Sequence, residues 1–233
     1  MEWLLHHKFL VLLIALAVLM VVYPVLRDYY DARIVFDVVI TGVFLAASYV
    51  VFTKGHHRLL ALLLGIPTVV GVWVGYVLPG LPRFPLGVGF HLFGALFFAY
   101  TVAMILRSID SERTISADSI YGAFCGYILV GLAFGHLYNI VELANPGSFR
   151  GDVDFTTHVQ IDHHRQFLLT YYSFITMTTV GYGDIVPTSG AARGLAIVEA
   201  ILGQFYIAVL LAELIGKRVA HALSAPPSGS NGT

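Results

Sequence analysis

Short polar clusters cut this chain into apolar blocks of similar length. Arg-Asp-Tyr-Tyr-Asp-Ala-Arg at 27–33, Thr-Lys-Gly-His-His-Arg at 53–58 and Pro-Gly-Leu-Pro-Arg-Phe-Pro at 79–85 are ordinary turn chemistry, and the blocks between them are nearly free of charge. A bilayer core of about 30 Å is crossed by about 20 mainly apolar helical residues. Six stretches meet that length: Lys8 to Leu26, Ile34 to Phe52, Leu59 to Leu78, Leu86 to Leu106, Asp118 to Leu143 and Gly190 to Ile215. A seventh, His163 to Thr176, is too short to span, and its place between the last two spans predicts a re-entrant helix. The first block also has the outline of a signal peptide, but its small residues Ala15 and Ala17 lie inside the apolar run rather than after it, which favours a span.

The polar link Arg107 to Ala117 divides the chain. The pattern predicts a four-helix transmembrane module over 1–107, a cytoplasmic linker over 108–117, a pore-like module over 118–217 and a short disordered tail over 218–233, rich in Ser, Gly and Pro from Ser224 onward. Composition agrees: 58% hydrophobic residues, 12% charged residues and a mean hydropathy of +0.80 exclude an ordinary soluble domain. A net charge of −1 without a basic stripe argues against a nucleic-acid partner, and Cys125 as the only cysteine excludes an intrachain disulfide. Loop charge leans toward cytoplasmic termini, because Lys8, Lys54 and Lys217 then all lie inside, although the arginines are nearly balanced across the bilayer.

The chemistry concentrates in Thr178-Thr179-Val180-Gly181-Tyr182-Gly183-Asp184. An ion that crosses a membrane exchanges its water shell for protein oxygens, and rings of backbone carbonyls supply them. Gly181 and Gly183 give access to dihedrals closed to residues with a Cβ, so successive carbonyls can turn toward one axis, with the Thr179 hydroxyl below them. Potassium sites are expected at Thr179, Val180, Gly181 and Tyr182, with the side chains of Val180 and Tyr182 packed behind the segment as a brace. One strand cannot encircle an ion, so four chains around an axis are expected. The preceding stretch, capped by Asp162 and free of Gly and Pro from Phe167 to Thr178, would aim its negative C-terminal end at a cation in the membrane.

Thr176-Met177-Thr178-Thr179-Val180-Gly181-Tyr182-Gly183-Asp184, in its setting of helix, re-entrant helix and helix from about Asp118 to Lys217, closely resembles the potassium channel family. The resemblance implies an all-α membrane protein with six transmembrane helices per subunit and a re-entrant pore helix, assembled as a homotetramer in the plasma membrane, or the inner membrane of a bacterial cell. Thr179 to Gly183 would be the selectivity filter, Asp184 the acidic residue of the outer mouth, and Gly203 the gating hinge, with close helix packing as the alternative role for that glycine. The chain also departs from the family. A voltage-sensing fourth helix carries a basic residue at every third position, each worth about 2.3 kcal/mol per 100 mV, whereas Leu86 to Leu106 contains only His91, with Arg107 at its inner end. Ile175 stands where some relatives place a carboxylate that bonds the outer aspartate, so Asp184 needs another donor, Tyr171 or Tyr172. The sixteen residues after Lys217 leave no room for a ligand-binding module there.

Carboxylates inside a membrane segment are functional suspects, since stranding one in lipid costs about 2.5–3.5 kcal/mol. Glu199 is expected to bond behind the pore helix. Glu213, one turn before Lys217, forms either an interfacial pair or a cation-attracting inner mouth. Asp37 is expected at the interface beside Arg33, and His136, Asn139 and Glu142 are expected to snorkel to water. His158, Asp162, His163 and His164 contain metal-ligand types, with a solvated loop and helix cap as the alternative, and three histidines near the mouth predict a current sensitive to acid. No cofactor is implied beyond potassium as permeant ligand. The function expected is passive potassium conduction with little voltage sensing. A less selective cation channel and a regulatory or structural pore subunit are the alternatives, and a membrane metalloenzyme lacks an HExxH motif.

Overall fold

The computed structural model describes residues 7–26, 32–52, 58–77, 83–111, 116–151 and 163–224. In chain order these form α1 (Lys8–Leu26), α2 (Ala32–Phe52), α3 (Arg58–Val77), α4 (Arg83–Ser111), α5 (Ala117–Ala144), β1 (Phe149–Gly151), α6 (His163–Met177), β2 (Ile185–Pro187) and α7 (Gly190–Ser224). Among the described residues, four apolar stretches are long enough to cross a membrane: Ile34–Phe52, Phe84–Ser111, Ala117–Ala144 and Gly190–Lys217. Lys8–Val22 and Leu59–Val74 are shorter apolar runs. The described residues are therefore all-helical apart from one two-stranded antiparallel sheet, and of the multi-pass membrane type.

Two helices run on by a turn or more past their expected ends. α4 runs on to Ser111, past the expected end at Leu106, because Ile109 is fully buried and the carbonyls of Ile109 and Asp110 receive Lys217 Nζ from α7 at 2.8 and 3.1 Å. α7 continues to Ser224, so residues 218–224 are helical rather than part of a disordered tail; residues 225–233 lie outside the described residues.

α4 packs along α5, which places the four N-terminal helices against the pore-like module of the same chain. α1 joins the same seam. Its first turn has orphan amides, and the Asp118 carboxylate at the start of α5 accepts those of Phe9 and Leu10 at 3.2 and 3.3 Å. Ser116 and Ser119 form a reciprocal capping box that starts α5 at the same point. A core of Phe9, Leu12, Phe44, Phe97, Phe98, Cys125 and Leu129 fills the seam, with Phe44 stacked on Phe98 at 4.8 Å.

Asp37 is fully buried in α2 rather than interfacial. It lies on the inward face of its helix, where the Thr41 hydroxyl donates to its carbonyl and accepts in turn from Trp73 Nε1 of α3.

Candidate pore segment

α6 ends at Met177, and its closing turn folds the following strand back over the helix end. The Ile175 carbonyl accepts from the amides of both Val180 and Gly181, at 3.0 and 3.3 Å, while Thr178 and Thr179 donate to Phe174 and Thr176. The orphan carbonyls of the helix terminus are thereby used to start the segment. Along it, φ is +61° at Thr179, +54° at Gly181 and +79° at Gly183. The left-handed conformation thus recurs at every second residue. Glycine adopts it freely, but a β-branched threonine does so at a cost of about 1–3 kcal/mol, so the surrounding turn must hold Thr179 there. The sequence pointed to the two glycines and gave no sign of the strained threonine. In a single chain Val180 is 49% and Tyr182 71% exposed, so the expected brace behind them is not supplied by their own chain.

Behind α6, three helices meet on one carboxylate. Glu199 of α7 is fully buried, and its two oxygens accept from the Ser173 hydroxyl of α6 and the Tyr138 hydroxyl of α5. Ser173 also lies 2.7 Å from the Gly131 carbonyl of α5. One turn along, the bare Cα of Gly203 admits the end of α6: a Cβ there would lie 2.5 Å from Met177 Cγ and 2.8 Å from its carbonyl oxygen. Gln204 Nε2 donates to that carbonyl at 3.4 Å. Of the two roles considered for Gly203, close packing is therefore directly visible, and α7 is continuous through it.

After the segment, Asp184 accepts from the Tyr171 hydroxyl at 2.7 Å and from the Ile185 amide at 3.1 Å. Tyr171 is thus the donor that takes the place left by Ile175. The bond to the carboxylate pushes the tyrosine up to about 12 from its ordinary 10.0. The residues immediately after Asp184 form β2, which pairs antiparallel with β1 after α5, Arg150 opposite Val186. This sheet fastens the exit of the segment to the end of α5 and was not legible in the sequence, its strands being three residues each.

Residues 159–218 match the family described as "Ion channel". The chain is 30% identical over 162 residues to the voltage-gated potassium channel Kch of Escherichia coli (strain K12), an overlap of 68% of this chain and 33% of that protein. It is 28% identical over 127 residues to Protein LctB of Bacillus caldotenax, covering 51% of this chain and 92% of LctB. These likenesses point to a channel, not an enzyme. The chain spans a third of the length of Kch, and no solved structure matches it significantly.

The C-terminal half of α7 carries the Glu213–Lys217 pair, 2.8 Å apart and partly exposed. Of the two readings of Glu213, the helix pair is the one seen within the chain, and Lys217 uses its remaining donors on the end of α4. The three polar residues on α5 do not snorkel. His136, Asn139 and Glu142 recur at every third position, share one face, and are all buried against protein. His136 Nδ1 lies 3.0 Å from His91 Nδ1 of α4. Asn139 donates to Gln166 Oε1 of α6 at 2.9 Å and accepts from Arg165 Nε at 3.2 Å. Glu142 accepts from the amides of Gly147 and Phe149 at 2.7 and 3.1 Å, holding the loop that leads into β1. Their spacing was a signal that this face turns inward. His158 and Asp162 lie outside the described residues; among the described residues no three ligand-type side chains converge on a metal site.

Proposed function

We propose that the chain is one subunit of a homotetrameric, potassium-selective channel conducting passively across a plasma membrane or bacterial inner membrane. In this reading six helices span the bilayer, both termini are cytoplasmic, and the modules expected over 1–107 and 118–217 are joined by a linker that begins after the helical residues 108–111. Thr179 to Gly183 form the filter, with potassium at Thr179, Val180, Gly181 and Tyr182, and Asp184 stands at the outer mouth. The observation that carries the reading is the alternation of left-handed backbone at Thr179, Gly181 and Gly183, fastened to the end of a re-entrant helix. Carbonyls turned successively to one side are what a dehydrated cation requires.

Assembly follows from what one chain leaves uncovered. α7 is the least buried of the long apolar helices, with Ile197, Ile201, Phe205 and Val209 all more than half exposed, and Val180 and Tyr182 are likewise open to solvent in a single chain. Copies of the same chain around an axis would cover these groups and close the carbonyl rings together. Glu213 would then stand in a ring near the inner mouth. Little voltage dependence is expected of α4, whose interior offers His91 alone; the voltage gating named for Kch belongs to that protein.

Purified protein in liposomes tests the proposal. Potassium and rubidium should enter far faster than sodium, and Gly181→Ala should abolish flux while the protein still inserts and assembles. Equal sodium and potassium flux in the native protein would point to the less selective cation channel, and no flux in an assembled tetramer to a regulatory subunit.

A further inference from the structure

The buried carboxylate of α7 lies outside the ion path, yet it touches the helix that carries the filter. Glu199 and Gly203 are one turn apart on α7, as Ser173 and Met177 are on α6, so the two helices meet along one seam: Glu199 on Ser173, then Gly203 and Gln204 on Met177. Met177 precedes Thr178 and the first left-handed residue, Thr179. The seam therefore ends where the filter begins. On the other side of the carboxylate stands Tyr138, itself in an edge-to-face cluster with Phe149 of β1 and Tyr172 of α6, at 5.3 and 5.0 Å between centroids. One side chain thus joins the outer helix, pore helix and inner helix, and through Tyr138 reaches the sheet that holds the filter's exit.

We infer that Glu199 is the positioning residue of the filter: its carboxyl group fixes the pore helix to the inner and outer helices, and so sets the spacing of the carbonyl rings on which selection of potassium over sodium depends. The inference rests on the reading of Thr179 to Gly183 as a potassium filter. The physical ground is the number of bonds that converge on a group with no solvent in reach. A buried carboxyl group must find partners, and here its partners are the hydroxyls of two other helices. Removing it leaves Tyr138 without its acceptor and Ser173 with the Gly131 carbonyl of α5 alone, so the bond that ties α6 to α7 at this point is lost. The pore helix is then free to shift against α7 by the slack of a missing side chain, and a filter that selects by oxygen spacing is sensitive to such a shift.

The charge itself is not required. A glutamine at 199 has the same length, its carbonyl oxygen can accept from one hydroxyl, and its amide can donate to the oxygen of the other. An alanine or valine can do neither. The native protein, Glu199→Gln, Glu199→Val and Tyr138→Phe are each reconstituted after size-exclusion chromatography selects assembled protein. The ratio of potassium to sodium flux is then measured for each. A selective native protein establishes the filter reading independently of the variants. Glu199→Val should then lower the ratio at least tenfold while the oligomer persists, Tyr138→Phe should lower it by less, and Glu199→Gln should restore it to within about threefold of native. Should Glu199→Val fail to assemble, Ser173→Ala removes the same bond from the pore-helix side and is expected to lower the ratio in the same direction. Native selectivity in an assembled Glu199→Val protein, or in Ser173→Ala and Tyr138→Phe together, overturns the inference and leaves the filter reading intact.

Discussion

Replacing Gly203 with alanine separates its two roles. The added Cβ would lie 2.5 Å from Met177 Cγ and 2.8 Å from the Met177 carbonyl oxygen. The side-chain contact can be relieved by a rotamer change, but the carbonyl belongs to the end of the pore helix and can yield only if α6 and α7 separate. Overpacking of this kind typically costs about 1–3 kcal/mol. For a chain of roughly 150–250 residues, each 1 kcal/mol corresponds to about 2–4 °C in Tm. The expected loss is therefore on the order of 5 °C, read by thermal scanning fluorimetry or by melting of the oligomer in detergent. Flux should fall with it if Thr179 to Gly183 are the filter proposed, because Met177 lies two residues before Thr179. Adding Met177→Ala to Gly203→Ala removes the side-chain contact but not the carbonyl contact, so it should recover only part of each loss. A hinge role predicts something else: unchanged Tm, reduced opening, and no recovery on trimming Met177. An unaltered melting temperature in Gly203→Ala would refute the packing argument.

Tyr171→Phe removes one of the two bonds to Asp184 and should make conduction collapse faster at low external potassium, measured as decay of current. Because the folded-state tyrosine is raised to about 12 from 10.0, the stability it lends is fully present below pH 10 and is lost only as pH approaches 12; a Tyr171-dependent change in current between pH 7 and 9 would contradict this. Lys217→Met deletes the donor to the Ile109 and Asp110 carbonyls and should loosen α4 from the inner helix, seen as a faster opening rate or as increased proteolysis near Ser111. Steady-state conductance in symmetrical potassium without blocking ions should rise only shallowly with voltage and should be little altered by Arg107→Gln; a steep curve flattened by that change would make α4 a sensor.

The sequence was most legible where apolar length and local backbone chemistry decide the outcome. Gly181 and Gly183 announced a segment of unusual dihedrals, and the absence of Gly or Pro from Phe167 to Thr178 announced the helix before it. Glu199 was placed correctly, and Tyr171 was one of the two donors expected for Asp184, because a carboxylate beside an apolar core has few places to find donors. What escaped were contacts fixed by tertiary packing. His136, Asn139 and Glu142 read as an outer-end polar patch until α4, α6 and the β1 loop close over that face. The sheet joins strands of three residues separated by 33 positions between Gly151 and Ile185, and no local pattern encodes such a pairing. Asp37 was misplaced for the same reason, since only the packing of α2 turns its face inward.

The most direct test of the central claim is the reversal potential across a planar bilayer holding the reconstituted protein, under a tenfold potassium gradient with sodium making up the difference. A singly charged species at equilibrium shifts by about 59 mV per tenfold change, so a potassium-selective filter should reverse close to that value, on the potassium side of zero. Reversal near zero, with sodium carrying as much current as potassium, would contradict the assignment of Thr179 to Gly183 as a potassium filter.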